Sequence, residues 1–210
     1  MSGRRSKTIY WNPNPYKTET LDYRNLFHIT LLLISSPAKA WEEILLEDRR
    51  KVLASFVYPM IGLCGLSVFV GTLLLKGWNG PESFQYAMTQ CCAVAVSLFG
   101  GYFLASYLIN RLSAKFFQME DDGPLMQQFA GYALVVSFVL QVILGVLPDF
   151  NIIAILLRFY TVYIVWEGSK VLLRVSDKNR LRFTVVASVL LLLCPWLIEV
   201  LFGNLMMILN

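Results

Sequence analysis

The sequence predicts an all-α fold: a polytopic membrane protein with five transmembrane helices plus an N-terminal interfacial helix. Hydrophobic residues occupy 57% of the 210 positions and charged residues 15%, whereas a soluble domain carries about 25% charged residues. The mean hydropathy is +0.58. Five apolar stretches each supply the roughly 20 helical residues that a bilayer core requires. The net charge of +4 is too small and too scattered to indicate nucleic-acid binding.

Residues 1–53 precede the first span and fall into two parts. Residues 1–25, which include WNPNPY, are predicted to be a disordered cytoplasmic N-terminus. Residues 26–53 are predicted to be an interfacial amphipathic segment. Its first part, LFHITLLLI, is too short to cross a bilayer, so we expect it to lie at the interface or to dip in and return.

A short amphipathic helix is predicted next. Ser36 is a suitable N-cap, and Pro37 suits the first helical position. The apolar side of this helix consists of Trp41, Ile44 and Leu45, and acidic residues occupy the other side. We therefore expect the helix to lie against the cytoplasmic face of the membrane.

The five spans are predicted from apolar runs separated by short polar connections. The connections contain KGWNGPES, MEDDGP, Pro148-Asp149 and VSDKNRLR. The predicted spans are about 54–75, 84–109, 125–147, 151–173 and 183–209, and together they form a membrane domain over residues 54–209.

The distribution of Lys and Arg predicts the orientation of these spans. Residues 1–53 contain nine basic residues, the four connections contain one, two, none and four, and the C-terminal end contains none. Because basic residues favour the cytoplasmic side, the N-terminus is predicted to be cytoplasmic and the C-terminus to lie outside. The alternative, a signal peptide cleaved after Ala40, would invert the later loops against this bias.

Charged residues inside the spans predict a buried polar layer. Arg158 lies seven residues after Asn151, and Glu199 lies seven residues before Met206. At 1.5 Å per residue both lie about 10 Å from the outer surface. An isolated charge at that depth is costly, so we predict an Arg158–Glu199 ion pair between spans four and five. The other members of the layer are Gln141, Gln90 and Ser67.

Two interpretations of this layer remain open. It is either a structural clasp that fixes helix order, or a functional cavity for a lipid headgroup, an ion or a small solute beside an interrupted helix. Pro195, one turn before Glu199, is expected to bend the fifth helix there.

Two further sets of residues are predicted to stabilise the bundle. Glu167 and Lys170 are three residues apart near the cytoplasmic end of span four and are predicted to form an interfacial pair. A helix-packing seam in span two consists of Ala93, Ser97, Gly101 and Ala105. Such a seam favours packing within the bundle over a dimer face.

No pattern typical of an enzyme is found. The sequence lacks GxSxG, HExxH and a Walker loop, so no catalytic residue, cofactor or metal site is predicted. Cys64, Cys91, Cys92 and Cys194 lie in apolar stretches and are interpreted as packing residues. The single histidine, His28, has no metal-binding partner at ligand spacing.

Three segments, LLISSPAKAWEEI, GYALV and FYTVYIVWEGSKVLLRVSDKNRLRFTVV, carry a family resemblance. Over residues 26–209 their order and the five-span layout resemble the Yip family of Ypt/Rab-interacting membrane proteins, especially its prokaryotic branch. The resemblance implies a small integral membrane protein without catalytic activity. Eukaryotic members act in endoplasmic reticulum and Golgi trafficking, bind Rab GTPases and form complexes with one another.

Two departures from the family pattern argue against Rab binding. The acidic Asp-Leu-Tyr-Gly-Pro motif of eukaryotic members is absent, and so is the proline that often follows the Gly-Tyr pair. The short N-terminus and the lack of a retention tail after MMILN favour a bacterial inner membrane.

The function that these observations favour is that of a non-enzymatic membrane scaffold or adaptor. Its expected partners are membrane lipid and either other membrane proteins or further copies of the chain. The alternative is a small transporter or lipid-handling protein that uses the layer around Arg158 and Glu199. A water-filled or lipid-occupied cavity at that layer would favour the alternative, and a dry, fully paired interior would favour the scaffold.

The predicted threading of the chain is testable with a reporter fused after Asn210. Because an odd number of spans separates the termini, a membrane-impermeant probe should reach this reporter in intact cells. A reporter fused before Met1 should be reached only after lysis. A C-terminal reporter that stays protected until the cells are broken would contradict the five-span arrangement.

Overall fold

The structure is a computed structural model that describes residues 23–77 and 80–209. Every regular element in these ranges is helical. The α-helices in chain order are α1 (Tyr23–Ser35), α2 (Pro37–Leu45), α3 (Tyr58–Lys76), α4 (Pro81–Phe117), α5 (Gly123–Ala133), α6 (Val135–Val146), α7 (Asn151–Arg158), α8 (Tyr160–Val171) and α9 (Asp177–Leu209). A π-helical turn, Leu53–Val57, leads into α3, and a 3-10 turn, Pro148–Phe150, leads into α7.

The helices confirm the all-α, polytopic membrane fold. Four segments in the described part of the chain are long and apolar enough to cross a membrane: Leu53–Leu75, Pro81–Phe117, Pro148–Val171 and Asp177–Asn204. The consecutive helices α5 and α6 qualify as a fifth span when taken together, although a bend of 41° separates them.

Two of the membrane helices are longer than the predicted spans. The second span was predicted to end at residue 109, but α4 continues to Phe117. The fifth was predicted to begin at residue 183, but α9 begins at Asp177. Hydropathy marks where a helix leaves the lipid, not where it ends. Helix α4 ends only where Gln118 adopts a left-handed conformation, with φ of 54°.

Span four is also less regular than predicted. The sequence predicts one helix over residues 151–173, whereas the structure divides it into α7 and α8 at Phe159. The amide of Phe159 donates to the Leu156 carbonyl at 3.2 Å, which tightens the turn at the break. Arg158 is therefore the last residue of a short helix rather than the middle of a long one.

Helices α3 and α6 cross closely at two glycines. A Cβ added to Gly71 would lie 1.7 Å from the Gly145 carbonyl oxygen, so neither backbone leaves room for a side chain at this point. Two side chains of α3 reinforce the crossing by donating to α6 carbonyls: the Ser67 hydroxyl to Val142, and the Cys64 thiol to Phe138 at 3.2 Å. In lipid, such close packing and interhelical hydrogen bonds replace the hydrophobic effect as the source of helix association.

The predicted seam on α4 faces α9 of the same chain. A Cβ on Gly101 would lie 2.5 Å from the Cα of Pro195, so α9 passes directly over this glycine. Ser97 and Ala105, one turn on either side, are buried, and Ala93 is half-buried. Helix α9 is continuous through Pro195.

The N-terminal segment forms a helical hairpin against this bundle. The amide of Ser36, between α1 and α2, donates to the Leu32 carbonyl at 2.7 Å. Pro37 is the first residue of α2, as predicted, but the Ser36 side chain makes no cap hydrogen bond. The disorder predicted for residues 1–25 lies outside the described residues as far as residue 22, and Tyr23 begins α1.

The α3–α6 crossing can be tested with two alanine substitutions in the same helix. The methyl group that G71A adds would overlap the Gly145 carbonyl oxygen. We therefore expect this variant to destabilise the protein by about 1–3 kcal/mol through overpacking. G62A is the matched control, since a Cβ at Gly62 meets nothing within 4 Å. The midpoints of unfolding in increasing sodium dodecyl sulfate measure the difference. Equal midpoints for the two variants would show that the crossing is not as close as described.

Candidate functional site

A polar cavity lies between α4, α6, α7 and α9, where the sequence predicted a polar layer. Its volume is about 50 Å³, several times the roughly 10–15 Å³ that one water molecule requires. The polar lining residues are Ser97, Ser137, Gln141, Arg158 and Glu199, and the apolar ones are Val94, Leu98, Leu191, Leu192, Pro195 and Trp196.

Arg158 and Glu199 line this cavity together, but the predicted ion pair between them is not formed. Among the residues that the structure describes, neither side chain has an opposite charge within 4.0 Å. Arg158 is half-buried, and its Nε atom is buried without a hydrogen-bond partner. Glu199 is exposed on α9. Counting residues along a helix gave the two charges a common depth, but it did not fix the sideways direction of either side chain.

Of the remaining members of the predicted layer, one lines the cavity and two do not. Gln141 lines the cavity with the two charges. Ser67 does not, because its hydroxyl is engaged at the α3–α6 crossing. Gln90 is half-buried on α4 and is absent from the lining.

Two serines that the prediction left out of the layer complete the lining. Ser97 lies seven residues, or two helical turns, after Gln90 on the same side of α4, and Ser137 lies one turn before Gln141 on α6. The Ser97 hydroxyl donates to the Ala93 carbonyl at 2.7 Å, so its oxygen can still accept a hydrogen bond from the cavity. Both serines could have been predicted from the sequence, because each lies one or two helical turns from a glutamine of the predicted layer.

The predicted interfacial pair is likewise not formed. Within the described residues no ion pair of 4.0 Å or less joins Glu167 to Lys170; the glutamate is half-buried and the lysine exposed. Arg180 at the start of α9 makes the nearby contacts instead. Its guanidinium lies 4.4 Å from the centroid of the Trp166 ring and 3.1 Å from Asp177.

The second polar arrangement holds the N-terminal hairpin to the bundle, and it centres on Trp41 of α2. Trp41 is fully buried, and its indole N–H donates to the Ile164 carbonyl at 3.0 Å. Its ring stacks on Phe129 with centroids 5.6 Å apart. Gly168 makes room for the ring, since a Cβ there would lie 2.6 Å from it. The sequence predicted the apolar side of α2, but not that protein rather than lipid would cover it.

Three side-chain hydrogen bonds extend this attachment. Gln128 donates to the Ile44 carbonyl at 3.0 Å, and the Tyr132 hydroxyl donates to Glu47. The Tyr160 hydroxyl donates to the Ile34 carbonyl at 2.8 Å, next to the turn between α1 and α2. Because Tyr160 is the first residue of α8, the turn of the hairpin lies beside the break in span four.

The MEDDGP connection between α4 and α5 closes the same end of the bundle. Asp122 caps α5 by accepting from the Leu125 amide at 3.0 Å and pairs with Arg49 at 2.7 Å. Asp121 accepts from Asn110 at 2.6 Å and lies 3.5 Å from Arg111. The two aspartates thus join α4, α5 and the segment after α2. The sequence did not reveal the link to Arg49, because that residue is 73 positions from Asp122.

Comparison with known proteins gives one result. A family model described as the Yip1 domain matches residues 31–198. The match begins within α1 and continues through most of α9. It includes the hairpin attachment and every residue that lines the polar cavity except Glu199, which lies one residue beyond the match. No curated protein and no solved structure gives a significant match to the chain.

The attachment of the hairpin can be tested at Trp41. W41F removes the N–H donor to the Ile164 carbonyl and opens space beside Gly168, so we expect a loss of about 1–3 kcal/mol in the free energy of unfolding. W196F is the matched control, because Trp196 is 53% exposed on α9. Thermal unfolding in detergent measures both. A melting temperature of W41F as high as that of W196F would contradict the stabilising role of this contact.

Proposed function

The chain belongs to the Yip1 domain family, and from this premise we propose that it is a non-enzymatic scaffold or adaptor that associates with other proteins of the same membrane. The apolar helices make it an integral membrane protein. The observation that supports association with protein is the outer face of α1, the first helix of the hairpin.

Helix α1 is apolar on two faces. One face is buried against the rest of the chain through Leu26, Ile29 and Leu33. A second face exposes four large apolar side chains spaced three or four residues apart, which puts them in one stripe. We call Tyr23, Phe27, Leu31 and Ile34 the α1 stripe; their exposure ranges from 38% at Ile34 to 65% at Leu31.

Polar contacts border the α1 stripe at the open end of the hairpin. His28 of α1 lies 3.6 Å from Glu43 of α2, and Asn25 donates to Glu47 at 3.3 Å. An apolar centre with a polar edge is the anatomy of a protein interface, and the polar edge fixes the orientation of a partner in a way that lipid tails do not require.

The attachment of the hairpin keeps this surface in one conformation. Trp41, Gln128 and Tyr160 hold the two helices from the inside. A surface that is already ordered loses less conformational entropy when a partner binds. Most of the conformational entropy lost on binding is therefore lost by the partner.

The partner proposed for the α1 stripe is an integral membrane protein, which includes a second copy of this chain. Rab GTPases are not proposed, because the acidic motif of the eukaryotic members is absent. The excess of basic residues in residues 1–53 supports a cytoplasmic position for the hairpin and an outside position for the C-terminus. We propose a bacterial inner membrane as the location.

Photocrosslinking in membranes tests this function. A photoreactive amino acid at Phe27 is expected to form crosslinks to protein, with one or a few discrete partners. The matched control is the same amino acid at Val189, which is 52% exposed on α9, close to the 58% exposure of Phe27. This control position is expected to capture lipid.

Mass spectrometry of the crosslinked products distinguishes the outcomes. Discrete protein adducts at position 27 and lipid adducts at position 189 would support the adaptor. Lipid adducts alone at both positions would contradict it, because the α1 stripe would then be an ordinary lipid-facing surface.

A further inference from the structure

Opposite charges that do not neutralise each other line the polar cavity. Arg158 contributes a guanidinium whose Nε atom is buried and has no hydrogen-bond partner among the described residues. Glu199 contributes a carboxylate with no cation within 4.0 Å in the same part of the chain. Both positions lie within predicted spans, where an unpaired charge costs several kcal/mol. A ligand that carries both charges would pair with both side chains.

We propose that this cavity binds the headgroup of a zwitterionic phospholipid that carries a primary ammonium group. The phosphate binds to Arg158 and the ammonium group binds to Glu199. This inference goes beyond the scaffold function and is independent of it, since it concerns the cavity and not the α1 stripe.

The chemistry of the lining matches such a headgroup. A guanidinium presents parallel N–H donors to phosphate oxygens, and this pairing is stronger than a neutral hydrogen bond. The Gln141 amide and the Ser137 hydroxyl supply neutral donors beside it. A carboxylate accepts hydrogen bonds from an ammonium group. Because the charged atoms of Arg158 and Glu199 lie more than 4.0 Å apart, a headgroup with two separate charges can contact both side chains.

The surroundings favour a lipid over a soluble zwitterion. The side chains exposed next to the charges are apolar: Leu157 precedes Arg158 on α7, and Trp196 and Leu197 lie on α9 one turn or less before Glu199. Acyl chains can lie along such a surface. The cavity of about 50 Å³ is too small for a whole lipid, so the tails would remain outside. Local thinning of a bilayer around a charged side chain brings headgroups to this depth.

The two charges have separable effects on lipid selectivity. Phosphatidylglycerol has a phosphate but no ammonium group, so it can use Arg158 and not Glu199. Phosphatidylcholine has a quaternary ammonium group without an N–H donor, so it cannot donate a hydrogen bond to Glu199. The wild-type protein is therefore expected to bind phosphatidylethanolamine more tightly than either.

Titration of the full-length purified protein in a lipid-free detergent, followed by native mass spectrometry, tests the proposal. The probes are phosphatidylethanolamine, phosphatidylcholine, phosphatidylglycerol and the soluble headgroup O-phosphoethanolamine. R158Q is expected to weaken phosphatidylethanolamine binding about tenfold or more, as for the loss of a charged hydrogen bond. E199Q is expected to remove the preference over phosphatidylglycerol while leaving phosphatidylglycerol binding unchanged.

Matched controls separate the cavity from general charge effects. R182Q and E82Q remove one exposed charge of each sign elsewhere in the chain and should bind like the wild type. Since Glu199 is exposed, E199Q should fold normally. If R158Q unfolds, the lipid selectivity of E199Q therefore still tests the proposal. No selectivity in the wild type, or the same loss in R182Q and E82Q, would overturn the proposal. Binding of the soluble headgroup as tight as that of the lipid would overturn the lipid assignment.

Discussion

Lipid tails are as apolar as leucine, so the membrane helices of this protein gain little from burying leucine against leucine. They associate instead where a glycine lets another element approach its backbone. Gly71 and Gly145 do this for α3 and α6, Gly101 does it for α4 and α9, and Gly168 accommodates Trp41 of the hairpin. Each contact fixes both the distance and the rotation of the helices that it joins. The positions of the polar side chains in the bundle depend on these rotations.

Two polar regions of the bundle differ in how their side chains are paired. Around the hairpin, Gln128, Tyr132 and Asp122 each bond to a remote part of the chain. At the cavity, Arg158 and Glu199 both line the space and do not pair with each other. Side chains that are held by protein support a fixed surface, which suits the scaffold role. Side chains that face a cavity can take a ligand, which suits the proposed lipid site. One architecture therefore accommodates both proposals.

The helix breaks lie beside both of these regions. Spans three and four each consist of two helices, divided near Leu134 and Phe159. Tyr132, which bonds the hairpin, lies just before the first break, and Arg158 lies just before the second. Tyr160, immediately after the second break, bonds the turn of the hairpin. The segment 158–160 thus contributes one side chain to the cavity and another to the hairpin attachment. The two regions therefore share one short segment of backbone.

The sequence by itself determined the all-α membrane fold, the family, the start of α2 at Pro37 and the polar character around Arg158, Gln141 and Glu199. The family was indicated by the resemblance of three segments. The other features depend on composition, local hydrogen bonding and residue counting along one helix, all of which are local to the chain. Only the tertiary structure decided that Trp41 lies in the bundle and that the two charges stand apart. Helix rotation and helix breaks set those outcomes, and they are determined by contacts such as Gly101 with Pro195, which lie far apart in sequence.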